Sequence, residues 1–431
     1  MLELRNPIQI SEAVIRVMAH QLRSKRELVQ LDECDQRYLA EDIIATHDIP
    51  MFRHVPGYDG FALRAEDTVF ASSNSPIEFI VVEELAAGMV PENELGPFEA
   101  SRIMTGAKTP KGASAVIALE LVKEFTRNGE KYISVKRQVR EGEHLSYKAE
   151  ETRCGETIIK KGTRINPGVK AVLATFGYSQ IPVAVRPTIG IFATGSELLD
   201  VNEPLQDGKI RNSNSYMIDA QAKRIGAAPI YFGKLPDEIE TCYEAISFAL
   251  NKVDILITTG GVSVGDYDLM PEIYKRLNGK VLFNKVAMRP GSVTTVTALE
   301  GKLLFGLSGN PSASYVGFEL FVRPIIRKML YSDSPYLKFE SAKLACDFPK
   351  VNPFTRFVRS KLFFENGEMI ARPVGMDKSN VVLSLAKTDT LMVLPGSTRS
   401  FQKGDRITVL LLEDEEGGKT LWQVSNRNEL M

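Results

Sequence analysis

Between residues 187 and 330, strand-length apolar runs alternate with helical stretches, and that alternation leaves few folds open. PTIGIFATG reads as a strand, SNSYMIDAQAKRIG as a helix with a Ser/Asn start and a Gly stop, and PIYFGKL as a strand. DEIETCYEAISFALN follows as a helix in which Asp237 and Glu240 have capping-box spacing. VDILITTGG is a strand and LMPEIYKRLNG a short helix. KVLFNKVAM, SVTTVTAL and KLLFGL are further strands, and PSASYVGFELFVRPIIRKML is a long helix. The pattern predicts a doubly wound, mostly parallel sheet covered on both faces.

Such sheets bind ligands in the crevice at the carboxyl ends of their strands. Four loops fall there: ATGSELL, LPDEIE, TTGGVSVGDYD and GLSGNPSAS. Glu197, Asp237 and Asp268 come from three of them and would converge on one crevice. Gly260, Gly261 and Gly265 let backbone N–H groups approach a phosphate closely, and Asp266 and Asp268 can hold a hard cation such as Mg²⁺ against it. In the last loop, Ser308, Gly309 and Asn310 lead into a helix at Pro311, whose free N–H groups suit an anion. Asp237 has a second reading as a helix N-cap. One such loop is weak evidence; four at one sheet edge, three carrying acids, point to a phosphate-plus-metal site.

The 431 residues are too many for one ordinary core and predict three or four domains. A net charge of −1 argues against nucleic acid or an anionic membrane as the main partner. No apolar run reaches transmembrane length, and MLELRNPIQISEAV lacks a signal-peptide core. Cys34, Cys154, Cys242 and Cys346 are far apart without a CxxC pair, which fits reduced thiols in a cytosolic protein. His54 has no partner ligand in view and reads as a solvated loop residue.

Elsewhere the signals are plainer. Residues 11–26 predict an amphipathic helix with Ser11 as N-cap and Val14, Val17, Met18 and Leu22 on one face. HDIPMFRHVPGYDGFALR carries Pro50, Pro56, Gly57 and Gly60 around Asp59, which predicts a rigid loop. Local sequence leaves Asp59 open between cation or substrate binding and capping a turn. Residues 65–140 predict a β-rich module, with Thr105 on an exposed turn. In 141–186, GETIIKKGTRINPG looks like a hairpin, and VKAVLATFGY like a short helix ended at Gly177. Residues 331–431 predict a small β-barrel or sandwich from SKLFFENG, TLMVLPGS, DRITVLLLE and TLWQVS, with Arg356 and Arg359 as surface charges.

Taken together, PGYDGFA (56–62), RIMTGA (102–107), TGSEL (194–198), GKIRNSN (208–214), GGVSVGDYD (260–268), RPG (289–291) and GLSGNP (306–311) resemble, in order, motifs of the molybdopterin molybdenumtransferase family, which includes the C-terminal domain of gephyrin. The resemblance implies four domains. They are a linking β domain (1–50 and 141–186), an inserted β-rich domain (51–140), an α/β molybdopterin-binding domain (187–330) and a C-terminal β-barrel (331–431). It also implies a cytoplasmic enzyme that inserts molybdate into adenylylated molybdopterin, releases AMP and forms molybdenum cofactor with the help of Mg²⁺.

An elongated homodimer is implied too, with Asp59 and Thr105 from one subunit meeting Glu197, Asp237 and Asp268 of the other. The molybdopterin adenylyltransferase and recipient molybdoenzymes become expected partners; nucleic acid and membrane do not. In this scheme Asp237 and Asp268 hold Mg²⁺. Gly260, Gly261, Ser263 and Gly265, with Ser308, Gly309 and Asn310, cradle substrate. Lys285 and Arg289 are the candidate cations near the molybdate or the terminal phosphate.

The chain departs from the family pattern at four places. Glu151 stands where an aspartate is common, and Ser292 where a lysine is expected in the segment after Arg289. Ser308 replaces a proline and Ser114 an aspartate. The missing lysine is the one point in favour of a rival reading, a non-catalytic scaffold on the same fold. Two more rivals are a tungstate-inserting paralogue and a nucleotide hydrolase.

Overall fold

The computed structural model describes residues 6–20, 22–55, 57–236, 238–261, 269–350, 353–398 and 400–422. The chain divides into two units: Asp42–Ile159 with Thr175–Gly177, and the remainder.

In the larger unit, Ala228–Leu235, Thr188–Thr194, Ile255–Thr259 and Lys302–Leu307 lie side by side in that order as parallel strands. Thr295–Leu299, antiparallel to its neighbours, and Lys280–Phe283 complete six strands. Strand alternation sends residues to two faces. Ile189, Ile191, Ile255 and Ile257 enter one core with Ile218 and Ala222 of the helix Asn214–Arg224 and with Val316 and Phe318. Phe192, Leu256 and Leu304 enter the other with Ile246 of Ile239–Leu250 and Ile273 of Met270–Arg276. Each fully buried Ile, Leu or Phe contributes about 1.5–3 kcal/mol, so both faces hold their helices. The sheet is doubly wound and mostly parallel, as the alternation predicts.

The long helix begins at Pro311, passes through a π-helical turn at Phe318–Val322 and continues as Arg323–Met329. KVLFNKVAM is not one strand. It breaks after Phe283, and Met288–Arg289 pairs instead with Thr355 and Arg356.

C-terminal strands close a five-stranded barrel. Thr355–Glu365 pairs with Glu368–Pro373, then Phe339–Leu344, Arg406–Leu411 and Thr390–Leu394, which returns to Thr355–Glu365. Phe339–Leu344 and Glu368–Pro373 lack the turn-bounded apolar pattern that marks the others. Residues 420–422 of TLWQVS form no strand, and the rest of that stretch lies outside the described residues.

Arg356 and Arg359 are not surface charges: they are 8% and 1% exposed. Arg359 donates to Ser384 Oγ at 2.8 Å and to the carbonyls of Met376 and Lys378, and Arg356 pairs with Asp377 at 2.7 Å. Burial pulls the Arg359 guanidinium below its ordinary pKa, and Asp377 opposes that pull. Three apart on one strand, the two arginines leave it on opposite faces, yet both bond to the 375–384 segment, which supplies the Asp377 carboxylate, the Ser384 hydroxyl and two carbonyls as acceptors.

At the N-terminus the helix is shorter than predicted, Ile10–Met18, with Gln9 as N-cap and Ser11 inside the first turn. Ile10, Ala13, Val14 and Val17 are its buried face, and Arg26–Gln30 is a strand antiparallel to Gln180–Ala184. Pro167–Thr175 forms the expected helix, and Tyr178 N–H closes on Leu173 O at 3.0 Å past Gly177.

The smaller unit holds a mixed six-stranded sheet in the order Ala115–Ala118, Gly60–Leu63, Glu99–Ile103, Ile77–Leu85, Glu130–Val135, Val122–Arg127. Phe61, Leu63, Phe79 and Ile117 fill one core and Ala62, Leu85, Ile103 and Val116 another. GETIIKKGTRINPG is not a hairpin: Thr157–Ile159 pairs with Ile43–Ile44. Ser114, the aspartate substitute, accepts the Ala65 N–H at 2.9 Å, so its hydroxyl caps a turn. All four cysteines are free thiols. Among the described residues no helix is long and apolar enough to cross a membrane.

Candidate active site

The four parallel strands end at one edge, where a cleft of about 590 Å³ opens. That volume suits a ligand of drug or nucleotide size. Its described walls come from three of the four predicted loops, from Leu235 and Pro236 at the start of the fourth, and from residues 210–214.

Glycine is required in this wall. Gly260 has φ +92°, and a Cβ there would lie 2.5 Å from Thr194 Oγ1 and 2.9 Å from Thr194 O. Thr194 Oγ1 donates to Thr259 O at 3.0 Å, and Gly260 N–H to Leu307 O at 2.9 Å, so three strand ends are knit together at this point. Gly309 packs against Gly260, its missing Cβ 3.6 Å from the Gly260 Cα. The Glu197 carboxylate folds over Gly195, in the space a Cβ would take. Lys209 Nζ donates to Ser196 O at 2.7 Å and Lys234 Nζ to Leu198 O at 3.2 Å, which places two cations beside the Glu197 loop.

The structure brings Glu197, Gly260, Gly261 and Gly309 to this cleft, with Ser308 and Asn310 flanking Gly309. Asn310 N–H donates to Ser308 Oγ at 3.2 Å. The helix start at Pro311 is less open to an anion than predicted. Ser312 N–H is taken by Ser379 O at 3.0 Å, and Ala313 and Ser314 N–H turn back on Asn310 O.

Asp237, Ser263, Gly265, Asp266 and Asp268 lie outside the described residues. The described N-cap of the following helix is Glu238, which makes no side-chain cap bond. Lys285 and Arg289 are not among the residues lining this cleft; Arg289 stands on the strand next to Arg356. Ser292 O accepts the Val286 N–H at 2.8 Å.

In the smaller unit, Asp59 and Thr105 do meet. The Thr105 amide donates to Asp59 Oδ1 at 2.8 Å and its hydroxyl to the same oxygen at 3.2 Å, both residues being exposed. Gly60 makes this possible: a Cβ there would strike Ile117 O on the neighbouring strand. Glu151 lies apart from this pair, lining a cavity of about 460 Å³ with Ile49, Pro50, His54, Ser146 and Glu150.

Arg211, Asn212, Ser213 and Asn214, in the GKIRNSN motif that was assigned no role from the sequence, are all in the cleft wall. Asn212 donates to Ser215 Oγ at 3.1 Å and Tyr231 Oη at 3.0 Å; Asn214 Nδ2 donates to Gly309 O at 2.8 Å. Asn212 is 2% exposed and Asn214 7%. The available signal was N-S-N at a helix start, where the first asparagine can serve only if it is buried and bonded.

Glu197 is the one acid among the described lining residues, and among the described residues no three His, Cys, Asp or Glu side chains gather as a metal site. One carboxylate beside a glycine-lined wall fits the donor set of Mg²⁺, which takes one or two carboxylates and completes its shell with phosphate oxygens and water.

Comparison with known proteins accounts for nearly the whole chain. The MoeA N-terminal region (domain I and II) matches residues 8–177, the probable molybdopterin binding domain residues 190–328, and the MoeA C-terminal region (domain IV) residues 341–412. The molybdopterin molybdenumtransferase of Bacillus subtilis strain 168 is 52% identical over 428 residues, 99% of each chain. That of Staphylococcus aureus strain COL is 45% identical over 97% of this chain and 99% of its own. The crystal structure of the molybdopterin biosynthesis moeA protein from Pyrococcus horikoshii OT3 superposes with a TM-score of 0.80 at 32% identity, covering 94% of this chain and 100% of that one. The chain therefore belongs to the molybdopterin molybdenumtransferase family, transferases of molybdenum cofactor biosynthesis.

Proposed function

We propose that this transferase inserts molybdate into adenylylated molybdopterin, releasing AMP and forming molybdenum cofactor in a Mg²⁺-dependent reaction. What carries the proposal is the cleft: Gly260 and Gly261, Glu197 and two buried asparagines line it together at one sheet edge, in a chain that matches a member of this family over 99% of each. Gly260 and Gly261 hold the diphosphate through backbone N–H groups. Asn212, Ser213 and Asn214 form the wall against which the substrate is oriented. Lys209 and Lys234 offset negative charge beside Glu197. Glu197, Asp237 and Asp268 are the carboxylates for Mg²⁺, which when bound neutralises phosphate charge and polarises the bond to phosphorus.

Asp59, held in one orientation by Thr105, completes the site from the partner subunit of a homodimer. The molybdopterin adenylyltransferase upstream, molybdoenzymes downstream and a cytoplasmic location belong to the same proposal.

The test is AMP release from adenylylated molybdopterin with Mg²⁺, with and without molybdate. Release that requires molybdate and yields active cofactor is the expected result. Release without molybdate identifies a hydrolase, and bound substrate without release identifies a scaffold. Asp268→Asn abolishes Mg²⁺-dependent release while thermal unfolding stays at the wild-type temperature; persisting activity sinks the assigned metal role.

A further inference from the structure

Two helices leave the cleft. Asn214–Arg224 starts at the Asn212–Asn214 wall, and the helix from Pro311 starts at the Gly309 wall. Asn214 Nδ2 joins their beginnings through Gly309 O at 2.8 Å. Further along they are joined again, by Glu319. One of its oxygens accepts from Gln221 Nε2 at 2.7 Å and from Arg224, and the other from Arg323 at 3.0 Å. Gln221 Nε2 also lies 3.3 Å from Tyr315 O.

Glu319 is 0% exposed and sits in the π-helical turn, a device common at functional sites. Burial, with the Glu319 charge adding to it, pushes the nearby Tyr315 hydroxyl up to about 12. Burial would lower the Arg224 guanidinium, and Glu319, Tyr315 and Glu413 together more than reverse this, holding it above its ordinary value. The arginines extend the network. Arg323 donates to Leu412 O and Asp414 O, both at 2.8 Å, and Arg327 to Glu415 O at 2.7 Å.

This is a poor device for stability alone. Well-packed hydrophobic residues of similar volume commonly hold buried elements as well as an ion network does, or better. The network also leaves Gln221 Oε1, Arg224 Nε and Arg323 Nε buried without a partner among the described residues. What it supplies is direction. Bonds from a single carboxylate to two helices add directional ties to the register that packing sets.

We propose that Glu319 is a positioning residue for the cleft. It holds the two helices in one register and so fixes the separation of the Asn212–Asn214 wall from the Gly309–Pro311 wall, without touching ligand itself. The proposal rests on the assignment of this cleft to adenylylated molybdopterin.

Glu319→Gln keeps the shape and removes the charge. Its KM for adenylylated molybdopterin rises about tenfold, roughly 1.4 kcal/mol, while kcat stays within about twofold. Amide hydrogen exchange at 214–217 and 312–316 accelerates in step. Ile246→Val, in the core on the opposite face of the sheet, is the control at matched loss of Tm. An unchanged KM, or exchange no faster than in that control, overturns the proposal. If the wild type releases no AMP the functional reading fails, and the exchange comparison still decides the positioning role. Should Glu319→Gln not fold, Gln221→Leu removes the inter-helix bonds to Glu319 and Tyr315 O and is put through the same comparison.

Discussion

The sheet around Thr188–Thr194 and the sheet around Gly60–Leu63 each have six strands, yet they place acids by different means. In the first, four parallel strands deliver every following loop to one edge, so residues more than 100 apart in sequence, such as Glu197 and Gly309, line one cleft without touching. In the second, neighbouring strands are mostly antiparallel, and a single carboxylate is fixed by direct bonds from one other loop, Thr105 to Asp59. A parallel sheet gathers by topology, whereas a mixed sheet must gather by contact. Substitutions in the second region should therefore act through strand spacing and local bonds.

The largest expected effect is that of Gly60→Ala. The new methyl strikes Ile117 O, and backbone cannot yield as a side-chain tip can, so denaturant unfolding should show a loss of about 3 kcal/mol or more in the smaller unit. Gly57→Ala, three residues earlier with nothing within 4 Å of its Cβ position, should stay within about 0.5 kcal/mol. Equal effects would mean that strand approach does not fix the Asp59 turn. Next comes Thr105→Val, which deletes the hydroxyl bond and keeps the amide bond. AMP release should fall about tenfold, and less than in Asp59→Asn, since one hydrogen bond to a carboxylate contributes about 1.5 kcal/mol. A fall as deep as in Asp59→Asn would show that Thr105 does more than orient the acid.

The smallest effect is a pH dependence. Hydrogen bonding from Arg137 holds the Glu143 carboxyl below its ordinary value of 4.5, against the opposing effect of burial. An acid depressed on folding stabilises above its unfolded pKa and loses that contribution as pH falls through the folded value. Glu143→Gln should therefore flatten the decline in stability below pH 4.5 by less than about 1 kcal/mol and leave unfolding at pH 7 within about that amount of wild type. A decline as steep as in wild type would remove this pair from the acid response of the smaller unit.

The parallel sheet was legible because its strands are buried on both faces and read as apolar runs, such as residues 303–307. The loops of Glu197, Gly260 and Gly309 were legible because each follows a parallel strand and carries glycine. Strands without such a signature were not: Glu368–Pro373 mixes charge with apolar residues, and Thr157–Ile159 finds its partner more than 100 residues upstream. Arg359 misled for a related reason. A guanidinium on a strand looks solvated until the segment that covers it, Met376 to Ser384, is known to supply its acceptors. Asn212 and Asn214 were hidden by their type, since asparagine at a helix start ordinarily signals a cap.

The π-helical turn at Phe318–Val322 has a consequence for how this chain tolerates insertions and deletions. A π turn is equivalent to one residue added to a helical frame, so the stretches before and after it run out of phase by about 100°. Removing any single residue between Phe318 and Val322 would restore an ordinary helix and rotate everything after it. Arg323 and Arg327 would swing away from the carbonyls of 412–416 while Pro311–Gly317 stayed in place. In that helix, length is under stricter constraint than composition.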